Sequence, residues 1–343
     1  MSLVEATRTL RDRQHLRTEA VPDLLDELLD AKTSDQVRAD FLRALTDKGE
    51  TGEELAAFVQ SILPRAVSPG MEGSWGDRPL LDVCGTGGGG LHLFNVSTAL
   101  MFILPACGVT VVKHGNRGLS KTSGSSDVLT ALGVPIDLPP ERLPEILDRV
   151  GSAFLFAPLY HPSFKILAPV RQALGREGHR TIFNLLGPLL NPARPAAQLM
   201  GTFHPPYLPI FEQALHQLKR SRFAVVCGYW HDGQPIGEVS PCGLTQTATN
   251  LDGLIGAGQR TPDPSAGPLE NLLIDSAKAS AARIIAILEG RDKGPAHDLV
   301  IENAAWALVI AGAEPNLPAG RARALDAVAN GSARDVLERA RQM

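Results

Sequence analysis

Cysteine is scarce in this chain. Four thiols in 343 residues, Cys84, Cys107, Cys227 and Cys242, show no CxxC spacing and fall well short of a disulfide scaffold. They read as reduced, mostly structural thiols of a cytosolic protein. No apolar run approaches the roughly 20 residues that a bilayer crossing needs. The opening MSLVEATRTLRDRQHLR is too polar and charged for a signal peptide. Neither sign of charge dominates: 33 Lys and Arg against 37 Asp and Glu leave a formal net charge of −4. That balance gives no general attraction for nucleic acid or anionic membranes. No internal repeat or low-complexity tract stands out. What is present is an ordinary soluble composition, 44% hydrophobic and 20% charged, in a chain long enough for two domains.

The first 65 or so residues read as short amphipathic helices. Val21, Leu24, Leu25 and Leu28 recur at helical spacing, as do Val37, Phe41, Leu42 and Leu45 after a cap at Ser34. Thr51-Gly-Glu-Glu54 has capping-box spacing ahead of Leu55, Phe58, Val59 and Ile62. The Gly-, Pro- and Ser-rich stretch from Pro64 to Pro79 reads as a link. From Leu80 the pattern alternates between strand and helix: Leu80–Cys84, Val109–Val112, Ala153–Ala157 and Phe223–Cys227 as buried strands, with a helix near Ser97–Leu104. Such alternation implies an α/β sheet of parallel strands. Pro162–Pro195 is again helical and is expected to pack back onto the N-terminal bundle. Helices return at Ala277–Leu288, Asp298–Ala311 and Arg321–Ala340.

Three segments carry chemistry. In LLDVCGTGGGGLHLFNVSTA, Gly85 and Gly87 to Gly90 let the backbone approach a ligand with its amides, and Asn95-Val-Ser-Thr98 opens a helix. This is a phosphate cradle at a helix N-terminus. GTGGGG formally satisfies GxGxxG, yet the acidic ribose-binding residue of a dinucleotide site is missing, and no GK[ST] follows to make a P-loop. The second segment, VVKHGNRGLSKTSGSSD, is expected as a loop after a strand. It concentrates Lys113, His114, Asn116, Arg117 and Lys121 with five small hydroxyl residues, which suits a phosphorylated sugar. Asp127 reads as the cap of the next helix. In the third, APVRQALGREGHRTIFNLLGPLLNPARP, Arg171 stands where it can pair bidentately with a substrate carboxylate.

Jointly, GTGG with FNVST, KHGNR with SGSSD, and RTIFNLLGPLLNPA resemble the signature segments of the anthranilate phosphoribosyltransferase family. The likeness runs over most of the chain, including KGET at Lys48–Thr51. It implies a type-II nucleoside-phosphorylase-like fold: a small all-α domain and a larger α/β domain with a central, mostly parallel sheet. Residues 1–76, with 162–198 packed onto them, would form the first, and 77–161 with 199–343 the second. The active site would lie at the hinge, and the protein would be a cytoplasmic homodimer joined through its helical domains. The implied reaction moves the phosphoribosyl group of phosphoribosyl pyrophosphate to anthranilate, in tryptophan biosynthesis, and releases pyrophosphate. Donor-side positions are Gly85, Gly88, Gly89, Asn95, Ser97, Thr98, Lys113, Lys121 and Ser125; acceptor-side positions are His114, Asn116 and Arg171. Ser97 and Glu238 would hold magnesium.

Several donor-side positions depart from the family pattern. Gly89 stands where the family has aspartate, Leu93 where it has threonine, Lys121 and Thr122 where it has serine and lysine, and Gly237 where it has the first member of an Asp-Glu pair. Asp232 is nearby but five positions out of register. Magnesium would then be held weakly by Glu238, or be dispensable if Lys121 neutralises phosphate directly. Two further readings stay open: a related pentosyltransferase or phosphorylase with another acceptor, and a non-catalytic paralogue that binds nucleotide or nucleic acid.

Overall fold

The structure is a computed structural model and describes residues 1–87, 91–118 and 124–343. Four helices come first: α1 (Leu3–Arg11), α2 (Val21–Leu29), α3 (Asp35–Lys48) and α4 (Gly52–Ile62). The capping box at α4 is formed: Thr51 Oγ1 accepts from the Glu54 amide at 3.1 Å, and the Glu54 carboxylate accepts from the Thr51 amide at 2.9 Å. The same carboxylate accepts from the Leu16 amide and pairs with Lys48 Nζ at 2.5 Å, both side chains being 1% exposed. A buried ion pair of this kind holds only because its remaining hydrogen-bonding capacity is met.

The sheet contains β1 (Ser74–Trp75), β2 (Arg78–Gly85), β3 (Thr110–Gly115), β4 (Ser152–Phe156), β5 (Ala197–Gly201), β6 (Arg222–Gly228) and β7 (Thr245–Thr249). Its order is β4-β3-β2-β5-β6-β7. All neighbours are parallel except β7, which runs antiparallel along β6, and β1, which makes a hairpin with β2. Strands β5 and β7 are absent from the sequence reading. Lys113, His114 and Gly115, expected in a loop, are instead the last residues of β3 and pair with Phe154, Leu155 and Phe156. The Pro64–Pro79 link contains β1.

Helices α5 (Val96–Ala106), α6 (Ser125–Ala131) and α7 (Leu143–Val150) join β2, β3 and β4 in sequence. After β4 come α8 (Ala157–Tyr160), α9 (Ala168–Arg176) and α10 (Ile182–Leu186), and α11 (Tyr207–Gln217) links β5 to β6. The C-terminal helices are α12 (Ala277–Leu288), α13 (Pro295–Ile310), α14 (Leu317–Ala329) and α15 (Ser332–Arg341). The single helix expected over Arg321–Ala340 is broken at Asn330-Gly331, where Gly331 has φ +81° and ends α14.

Two hydrophobic clusters cover the two faces of the sheet. On one face, Leu81, Val83, Val111 and Ala224 pack with α5, α7 and α12 to α15. On the other, Met200, Phe223, Val225 and Cys227 pack with Leu174, Ile182 and Leu186, with Phe211 of α11, and with Phe41, Leu45, Leu55 and Phe58 of the N-terminal helices. The second face is therefore roofed by segments far apart in sequence. All four cysteines are free and buried.

Candidate active site

The strands β2, β3, β5 and β6 end together in glycine: Gly85, Gly115, Gly201 and Gly228. Missing side chains at these ends let the following loops lie directly on the carboxyl edge of the sheet, the usual ligand position in open α/β folds. The β2 turn begins with Thr86, whose amide donates to Gly201 O at 2.9 Å, and with Gly87 at φ +63°. Gly88 and Gly89 lie outside the described residues, as do Ser120, Lys121, Thr122 and Ser123 of the basic segment. Thr86 and Gly87 line one wall of a crevice open to solvent. Its other wall carries Thr46 of α3, Asn184 of α10 and Tyr207 of α11, with Glu50 and Arg180 from the connections between helices. Burial raises the pKa of the Glu50 carboxyl.

Lys113 and Ser97 meet at one side of the β3 end. Lys113, 3% exposed, donates from Nζ to Val83 O at 2.6 Å and to Ser97 Oγ at 3.0 Å. Burial lowers its pKa, against the pull of Asp82, Cys84 and Glu238. Next to Ser97, the buried Thr98 Oγ1 has no hydrogen-bond partner among the described residues. Asn95 caps α5 by position and is tied to Ser280 of α12, which donates to Asn95 Oδ1 at 3.1 Å. Ser125 opens α6, its hydroxyl oxygen set so close to Gly115 that a Cβ there would stand 2.3 Å away. Asp127 accepts from the Gly124 and Gly118 amides at 2.9 Å each, the capping role the sequence suggested.

Glu238 lies across the ends of β5 and β6 and faces the same lysine. Burial pushes its carboxyl up to about 8, and Lys113 pulls it down. Gly237 has φ +66°, and a Cβ on it would lie 2.8–3.0 Å from the ring of Phe203, so a carboxylate at this position needs a strained backbone and a displaced ring. Asp232 sits in an exposed turn, where it accepts from Gln234. Among the described residues no three His, Cys, Asp or Glu groups gather to hold an ion. One carboxyl with neighbouring hydroxyls is a hard-oxygen set. It fits magnesium that arrives bound to phosphates rather than a metal held by protein ligands alone.

On the other side of β3, His114 begins an array of rings. Its Nδ1 is 3.3 Å from Gly187 O, which makes Nδ1 the protonated nitrogen, and burial drives its pKa down to about 3, helped by His161. His161 lies edge-on at 5.3 Å, Phe164 stacks on His161 at 5.5 Å, and Phe183 meets Phe164 edge-on at 5.4 Å. Arg171 caps the far end, its guanidinium 5.3 Å from the centre of the Phe183 ring. No carboxylate reaches that partly buried cation among the described residues, and burial lowers its pKa. Asn116 is nearer the β3 end, with Oδ1 accepting from the Arg117 amide at 2.8 Å. His161, Phe164 and Phe183 were not singled out from the sequence. The only trace of them is the aromatic spacing of HPSFK and RTIFN.

Residues 4–66 match the helical bundle domain of a glycosyl transferase family, and residues 77–334 its α/β domain. The anthranilate phosphoribosyltransferase of Desulfatibacillum aliphaticivorans is 36% identical over 97% of this chain and 96% of its own length. That of Stenotrophomonas maltophilia is 38% identical over 96% and 94%. The chain belongs to the anthranilate phosphoribosyltransferase family. The crystal structure of the Thermus thermophilus member superposes with a TM-score of 0.83 at 34% identity, covering 98% of both chains. The Saccharomyces cerevisiae enzyme, solved with phosphoribosyl pyrophosphate and magnesium, gives 0.80 at 24% identity, a likeness of fold. The small helical portion, the larger α/β portion and the mostly parallel sheet are those of the family, and the chain is a glycosyltransferase.

Proposed function

We propose that the chain transfers the phosphoribosyl group of phosphoribosyl pyrophosphate to anthranilate and releases pyrophosphate. The observation that carries this reading is the wall from Arg171 to His114: a guanidinium with no carboxylate partner among the described residues, seated at the end of a row of rings. A flat aromatic acid satisfies both, its carboxylate on Arg171 and its ring along the wall. His114 and Asn116 complete the acceptor side. Neutral His114 adds no charge to compete with Arg171.

Lys113, Ser97, Thr98, Asn95, Ser125 and the glycine turn with Gly85 would receive the donor. The lysine ammonium and the first turn of α5 present positive charge to the leaving pyrophosphate. Successive residues of a strand face opposite ways, so Lys113 and His114 hold donor and acceptor on opposite sides of one strand end. The two reactants then meet over the carboxyl edge, and rate comes from position and from charge stabilisation. Magnesium, carried in with the donor and met by Glu238 and Ser97, would neutralise part of the pyrophosphate charge. Residues 1–76 with 162–198 act as the helical domain of the enzyme and the remainder as the phosphoribosyl-binding domain. A cytoplasmic homodimer joined through the helices follows the family.

The test is the loss of anthranilate fluorescence when purified protein is mixed with anthranilate and phosphoribosyl pyrophosphate, with and without Mg²⁺. Turnover with Mg²⁺ is expected. No turnover at micromolar enzyme would reject the reading.

A further inference from the structure

Glu238 lies on a segment without regular secondary structure, yet the backbone around it is held from several sides. A Cβ on Gly201 would stand 1.9 Å from Gly237 O, and one on Gly228 would stand 2.0 Å from Glu238 O, so the segment rests on two bare strand ends. The Ser240 amide donates to Thr245 Oγ1 at 2.9 Å. The remaining hold comes from 64 residues away, on α13. Asn303 Oδ1 accepts from the Val239 amide at 3.0 Å, and Asn303 Nδ2 donates to Val239 O at 3.0 Å. Its second amide hydrogen goes to Leu299 O at 2.8 Å. One fully buried side chain thus closes both backbone bonds of the residue that follows Glu238.

Only a primary amide of this length can do so. Aspartate lacks the donor, leucine and alanine lack both groups, and glutamine is a methylene too long. The helix turn that bears Asn303 is itself pinned, because Glu302 accepts from Arg260 and from Arg321 at 2.6 Å each. We infer that Asn303 is the positioning residue for Glu238. Its clamp on Val239 fixes where the donor-side carboxylate stands, and hence the affinity for the magnesium complex of phosphoribosyl pyrophosphate. This role rests on the proposed reading of Glu238, and the experiment separates the two.

Phosphoribosyl pyrophosphate is titrated calorimetrically with and without Mg²⁺ into wild type, Asn303→Leu, Glu238→Gln and the double variant. Thermal unfolding of each is recorded alongside. Groups that orient metal ligands are worth about 10–100-fold in metal affinity. Asn303→Leu is therefore expected to weaken Mg²⁺-dependent binding by that factor, and to add nothing in the Glu238→Gln background. Losses that multiply in the double variant would show a merely structural asparagine and overturn the proposal, as would unchanged binding. Leu308→Ala, buried five residues further along the same helix, is expected to lower the unfolding temperature while binding as wild type does. An equal loss of binding there would also overturn it. Should Asn303→Leu fail to fold, Asn303→Asp keeps the acceptor for the Val239 amide and is read the same way. A wild type that binds no phosphoribosyl pyrophosphate sinks the functional reading itself, and this role with it.

Discussion

An aspartate at position 237 would give Glu238 the acidic neighbour that the family pattern has there. This chain is built against it. Gly237 has φ +66°, a conformation that costs an L-residue about 1–2 kcal/mol, with aspartate at the lower end. Its Cβ would also stand 2.8–3.0 Å from three atoms of the Phe203 ring, where carbon atoms rest at about 3.5–4.0 Å. Overpacking of this kind costs about 1–3 kcal/mol. Together the two place Gly237→Asp about 2–4 kcal/mol below wild type, a fall of roughly 3–6 °C in the calorimetric unfolding midpoint. Phe203→Ala removes the ring but not the backbone cost. In the double variant the steric share should disappear, a coupling of about 1–3 kcal/mol in a double-mutant cycle. Only the double variant can then present both carboxyls, so its Mg²⁺ half-saturation should fall below that of wild type. A single variant as stable as wild type, or strictly additive stabilities, would refute the steric reasoning.

Other consequences are equally direct. If Arg171 holds the acceptor carboxylate as proposed, Arg171→Ala removes charge-assisted hydrogen bonds worth about 1.5–3 kcal/mol, so the KM for anthranilate should rise about 10–150-fold while that for phosphoribosyl pyrophosphate moves little. Arg171→Lys should not restore it, because the planar fork and its seat on Phe183 are lost; an unchanged acceptor KM in steady-state assays rejects the assignment. Asp82 is fully buried, and burial pushes its carboxyl from 3.8 up to about 6, against the pull of Lys113. The raised value means that the native state holds the proton more tightly than the unfolded one. The contribution of this group is thus complete below about pH 4 and is lost, up to about 3 kcal/mol, as pH rises through 6. Asp82→Asn should therefore gain on wild type in denaturant midpoint from pH 4.5 to 7.5; a constant difference contradicts this.

Periodicity and punctuation made much of the fold legible: the capping box at Thr51, the apolar strands β2 and β6, and helices α2 to α4 all follow from local sequence. Strand β7 was not readable because TQTAT has no large apolar residue, as befits an edge strand with one partner. Strand β5 hides a buried Gln198 behind a proline-rich approach. Lys113 and His114 read as loop residues because polar side chains seldom end a buried strand; here Val83 O and Ser97 accept from the lysine, and Gly187 O accepts from His114 Nδ1. Single segments gave the glycine turn and Arg171. The ring array and the Asn303 clamp join residues through space, and Phe203 against Gly237 is a steric relation that spacing does not encode.

The roof over the second face of the sheet also limits how the chain can be shortened. Excising the first 66 residues would uncover parts of the surface formed by Leu174, Ile182, Leu186 and Phe211, which the N-terminal helices share as one apolar body. A bare patch of that kind invites aggregation. The remaining fragment should precipitate rather than persist as a free-standing unit, so the N-terminal helices are a folding partner for the rest of the molecule and cannot be treated as a detachable appendage.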